Sequence, residues 1–106
     1  MADNIILSKL DGLKAKYEDI SRQMTDPDVL SDMKRFVALN KEYKELQPII
    51  EASEQYRTAY NNLQEAKDVL ANEKDEEFRE MARAEIAELE PHLERLEEQL
   101  KLLLIP

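Results

Sequence analysis

Apolar residues in this chain recur in alternating steps of three and four over almost its whole length, and few folds accept that pattern. Ile6, Leu10, Leu13, Tyr17, Ile20 and Met24 form one series. Phe36, Leu39, Tyr43 and Leu46 open a second, continued by Ile49, Ala52, Tyr56, Ala59, Leu63, Ala66 and Leu70. Ala82, Ile86, Leu89, Leu93, Leu96, Leu100 and Leu103 make a third. Such spacing lines each series along one stripe of a helix, and stripes this narrow belong to helices packed along a seam. The fold class expected is all-α: an elongated three-helix bundle, with a long antiparallel helical hairpin and a shorter N-terminal helix.

The breaks in the pattern set the helix boundaries. The first helix is expected from about 3 to 24, capped by Asp3 or Asn4, with Gly12 weakening it by about 1 kcal/mol relative to alanine. Thr25-Asp26-Pro27-Asp28 is the clearest interruption, since proline disfavours helical geometry at the residue before it. Ser31 is the expected N-cap of a second helix over about 31–71, roughly 60 Å long. Pro48 lies inside it and removes the backbone bond to the Lys44 carbonyl, so a kink is expected there. The stripe takes two successive steps of three at Leu46, Ile49 and Ala52, a slip in phase at the same place. Asn72 to Asp75 is polar and short enough for a tight helix–helix turn, which makes the flanking helices antiparallel neighbours. Asp75 is the expected N-cap of the third helix, over about 75–104, with Pro91 in its interior. Ala52, Ala59 and Ala66 allow close approach to the side carrying Ala82, Ile86 and Leu89, and the first helix is expected to cover part of the hairpin.

Composition narrows function mostly by exclusion. The 106 residues are one domain's worth of chain, with 37% charged and 42% hydrophobic, the balance of long amphipathic helices. The net charge of −9 is uneven: residues 72–106 carry eleven acids against five bases. So acidic a surface repels phosphate backbones, so no direct nucleic-acid binding by this segment is expected, and partners with basic surfaces fit better. The absence of cysteine excludes disulfides, thiolate catalysis and zinc ribbons, and agrees with a reducing cytoplasm. Met1-Ala2-Asp3-Asn4 does not read as a signal peptide, and the longest apolar run, Leu102 to Pro106, is far too short for a membrane span.

The side chains that could carry chemistry have simpler readings. His92 is the single histidine; Glu88 shares its helix face, but a di-iron bundle needs a glutamate three residues before each of two histidines, and position 89 is leucine. A solvent-facing His92 is expected. Glu76, Glu77 and Glu80, and again Glu94, Glu97 and Glu98, are interspersed with Arg79, Arg83, Arg95 and Lys101, as on a solvated helix face. Leu93 and Leu96 are expected in the core, and Glu94 and Glu97 outside it. A single glycine rules out a glycine-rich phosphate loop. Tyr17, Tyr43, Tyr56 and Tyr60 lie mostly on or beside the seam, where ring packing with the hydroxyl reaching solvent is expected. No catalytic, cofactor-binding or metal-ligating residue is assigned, and the segment is read as no enzyme.

At the level of motifs the whole chain is similar to the N-terminal domain of bacterial class I peptide chain release factors. The residues carrying the resemblance are Thr25-Asp-Pro-Asp-Val29, Lys41-Glu-Tyr-Lys-Glu-Leu-Gln-Pro-Ile-Ile50, Phe78-Arg-Glu-Met-Ala82, Ala87-Glu-Leu-Glu-Pro91 and Leu100-Lys-Leu-Leu-Leu-Ile-Pro106. The ending resembles the type that reads UAA and UAG. The resemblance implies a cytoplasmic factor that enters the ribosomal decoding site at a stop codon and triggers peptidyl-tRNA hydrolysis. Its Gly-Gly-Gln and stop-codon motifs belong to later domains and do not occur here. This segment would then face the ribosomal stalk-base proteins and the methyltransferase that modifies the Gly-Gly-Gln glutamine. The apolar ending looks cut where a next domain begins, and a weak homodimer of the chain through Leu102 to Ile105 is expected. The alternatives are a free-standing coiled-coil adaptor or scaffold and, more remotely, a carboxylate-bridged metal enzyme.

Overall fold

The computed structural model describes residues 4–105. Four helices follow one another: α1 (Ile5–Gln23), α2 (Pro27–Leu30), α3 (Met33–Asn72) and α4 (Glu76–Leu103). The fold is all-α, as the stripes require, but with one helix more than the three expected from the sequence.

The extra helix comes from the residues read as a break. Asp26 accepts a hydrogen bond from the Asp28 amide at 2.9 Å, and Pro27 occupies the first helical position. Proline is favoured there because its missing N–H has no helical partner to lose. A residue pair that ends one helix thus starts another, and the single turn buries Val29 almost completely. This turn also corrects the expected cap of the next helix. The Ser31 hydroxyl donates to the Asp28 carbonyl at 3.1 Å, closing α2. Asp32 does the capping instead: its side chain accepts from the Arg35 amide at 3.3 Å, and its carbonyl takes the Phe36 amide at 2.9 Å. At the other two starts the caps fall as expected, Asn4 accepting from the Leu7 amide and Asp75 from the Glu77 amide.

The chain divides into two units, Met1–Ser53 and Glu54–Pro106, with α3 running unbroken through Pro48 and contributing to both. In the first unit Leu10 and Ile20 of α1, Val29 of α2, and Leu46 and Ala52 of α3 are buried. Tyr17 and Tyr43 stack with ring centroids 4.5 Å apart, and Lys16 pairs with Glu42 at 2.7 Å. Ser53 is buried and satisfies its hydroxyl on the Ile50 carbonyl at 2.8 Å.

In the second unit α3 and α4 form an antiparallel hairpin. Tyr56 reaches Glu97 and Leu70 reaches Arg79, pairs whose order reverses between the two helices. The seam is the one the stripes define: Tyr56, Ala59, Leu63 and Ala66 from α3 and Ala82, Leu93, Leu96 and Leu100 from α4 are buried. Ile86, Leu89 and Leu103, on the same stripe, are half-buried.

Candidate functional site

The hairpin end of the second unit is built to hold its shape. Glu73 folds back so that its Oε1 accepts from the amides of Lys74 and Asp75 at 3.0 and 3.1 Å. Asn72 donates to the Asp68 carbonyl at 3.0 Å. Arg79, one turn into α4, points back at the end of α3 and donates through Nη1 to the Leu70 carbonyl and, at 3.3 Å, to that of Glu73. A guanidinium there satisfies carbonyls left open at the helix terminus and meets the negative end of its dipole. Composition suggested a solvated Arg79; the structure makes it the clasp of the turn.

Against this rigid end lies an open groove of about 340 Å³, floored by Ala66 and Ala82 and walled by Val69, Phe78 and Met81. Those three are 40%, 54% and 66% exposed and line the same groove, so they form one apolar patch rather than scattered exposed residues. Asn62, Glu65, Glu73 and Glu85 complete the rim. From Asn62 to Ala87 there are eight acids and four bases. Two of the bases are occupied: Arg79 in the turn, and Arg83 on Glu76 at 3.0 Å and on Glu80. The hydrogen bond that Arg83 donates to Glu76, ahead of the field of both carboxylates, raises the pKa of Arg83 above its already high value.

The residues singled out in the sequence do not converge. His92 and Glu88 are exposed, and His92 borders a different shallow groove with Leu89, Thr58 and Asn62. Among the described residues no group of three His, Cys, Asp or Glu side chains is placed to hold a metal ion. Nor is any helix among them long and apolar enough to cross a membrane. Leu93 and Leu96 are buried and Glu94 is exposed. Glu97 departs from expectation. It is half-buried and accepts a 2.9 Å hydrogen bond from the hydroxyl of Tyr56, a residue only 1% exposed. The Tyr56 hydroxyl therefore reaches a carboxylate across the seam. Periodicity could not reveal it, because the partner lies 41 residues away on the neighbouring helix.

At Tyr17 the hydrogen bond with Tyr43, then burial, push the phenol from 10.0 up to about 12. Stacked phenols of this kind support packing. The sequence contained one unused signal for the groove: Val69, Phe78 and Met81 are the large apolar residues near the turn that belong to none of the three stripes.

Compared with known proteins, residues 13–106 match the model described as the PCRF domain. The chain is 50% identical over 107 residues to Peptide chain release factor 1 of Bacteroides fragilis, covering 100% of this chain and 29% of the relative. It is 48% identical over 106 residues to the protein of the same name from Parabacteroides distasonis, with the same coverage of 100% and 29%. Against that of Clostridioides difficile it is 40% identical over 101 residues, 95% of this chain and 28% of the relative. The chain therefore spans under a third of the length of these curated relatives. No solved structure matches it.

Proposed function

The chain belongs to the PCRF-domain family, and from that premise we propose that it is the N-terminal, protein-contacting domain of a peptide chain release factor. The whole factor acts in the cytoplasm, on the ribosome, terminating translation at UAA and UAG. This segment spans residues 1–106 as one functional domain and contributes contacts: with ribosomal stalk-base proteins, and with the methyltransferase that modifies the factor's Gly-Gly-Gln glutamine. Hydrolysis of peptidyl-tRNA is left to the rest of the factor. The observation that carries the reading is identity of 50% across the full chain to a protein named Peptide chain release factor 1. The acidic surface supports it, since −9 over 106 residues disfavours contact with RNA and favours basic protein surfaces. Exposed Leu102 and Ile105 also support weak self-association of the isolated chain.

A chimera tests this. The Bacteroides fragilis factor, with its matching segment replaced by this chain, should release peptide at UAA and UAG, while the same factor lacking the segment should be impaired. A chimera no better than the deletion overturns the proposal. So does peptide release by the 106-residue chain alone.

A further inference from the structure

The groove at the hairpin end combines two features that folding leaves unexplained. In the run from Phe78 to Ala82, Arg79 clasps the turn and Ala82 is buried in the seam, so both have structural duties. Phe78 and Met81 have none, and with Val69 they hold apolar surface in water, which is unfavourable unless something covers it. Around them the charge available to a newcomer is negative. Among the described residues Glu65 and Glu85 form no ion pair, and Glu73 shares the rim, while Arg79 and Arg83 are already engaged by the hairpin itself. A ligand must therefore bring apolar side chains for the walls and positive charge for the rim; a polyanion offers neither. The cleft between two antiparallel helices also suits the ridge of a third, with anchors at helical spacing.

We infer that this groove docks an amphipathic helix of a protein partner, whose apolar face covers Val69, Phe78 and Met81 while its lysines or arginines meet Glu65, Glu73 and Glu85. The inference rests on the reading of the chain as a protein-contacting domain and assigns that contact to a surface.

The test uses the full 106-residue chain, isotopically labelled, and two synthetic amphipathic helices with one leucine and phenylalanine face. One has lysine flanks and the other has glutamate in their place. The lysine peptide should bind at least about tenfold more tightly, with amide shifts concentrated in residues 62–85. Replacing Phe78→Ser and Met81→Ser together should weaken it at least about tenfold. The paired change Met33→Ser and Val37→Ser, at exposed apolar positions in the other unit, should leave binding unchanged. Glu65→Gln with Glu85→Gln should weaken binding and flatten its salt dependence. Far-UV circular dichroism verifies folding, and Met81→Glu alone serves if the double variant unfolds.

Equal binding of the two peptides overturns the inference, as do shifts spread over every acidic face. A Phe78 and Met81 variant that loses self-association in sedimentation, with peptide affinity intact, makes a second copy the occupant and also overturns it. If the chimera terminates normally while no peptide binds, the groove assignment alone falls. If the peptide binds at residues 62–85 but the chimera fails, only the release-factor reading falls.

Discussion

The two units use the same helical material differently. Among the described residues, 54–105 bury eight side chains along one continuous seam between α3 and α4. Residues 4–53 gather theirs from three helices, including the single turn of α2, and add a tyrosine stack and a lysine–glutamate pair. Charge follows the same division: ten acids against eight bases in the first unit, fourteen against seven in the second. A two-helix seam needs only one face of each helix, so the remaining faces are free to carry charge and an exposed groove. Both units add polar pairs to their apolar packing, Lys16 with Glu42 in the first and Tyr56 with Glu97 in the second. Regular packing thus frees surface for interaction.

The largest expected effects probe whether the seam really is the stronger element. Leu96 is 5% exposed and Leu10 is 2% exposed, so truncating either leaves a cavity. Each change to alanine should destabilise by about 2–5 kcal/mol. In hydrogen exchange, Leu96→Ala should lower protection mainly in residues 54–105 and Leu10→Ala mainly in 4–53. If each variant lowers protection equally throughout, the two units unfold as one.

The seam was legible from sequence because periodicity reports which face of a helix is apolar. Every position of the three stripes is buried or half-buried, from Ile6 to Leu103. What escaped was information that periodicity does not hold. Val29 sits in a turn, where a single apolar residue has no period. Ser31 and Asp32 are both good caps, and the choice depended on α2 claiming the serine hydroxyl. Arg79 and Glu97 looked solvated because their partners, the Leu70 carbonyl and the Tyr56 hydroxyl, lie across the hairpin. The groove was hidden for a related reason: a leftover apolar residue becomes a site only when folding sets others beside it.

The Tyr56–Glu97 bond should contribute less to stability than either core leucine. Glu97→Ala removes a charged acceptor from a nearly buried hydroxyl and should cost about 1–2 kcal/mol in urea unfolding. Glu94→Ala, on the exposed face, should stay within about 0.5 kcal/mol. Equal losses would mean the cross-helix bond contributes nothing and the seam is held by apolar packing alone.

The tyrosine stack gives the first unit a pH dependence of its own. Tyr17 titrates near 10.0 when unfolded and near 12 when folded, so folding favours its protonated form. Its contribution is complete below about pH 10 and is lost as pH rises toward 12. Tyr17→Phe should therefore flatten part of the alkaline loss of stability, compared with the parent across that window. An unchanged pH profile would show that the stack does not couple to the titration.

The smallest effect should run in the opposite direction. Gly12 lies on the exposed side of α1, and a methyl group placed there would meet nothing within 4 Å. Its backbone is helical and carries no positive φ, so alanine fits without strain. The substitution narrows the unfolded chain's freedom and should add about 0.5–1 kcal/mol. The gain should appear as greater protection across residues 4–53, the unit that contains α1, with little change in 54–105. Stabilisation of equal size in both units would show that α1 reports on the whole chain. No gain at all would mean that α1 near Gly12 is already frayed in the native state, so that helix propensity there does not bear on folding.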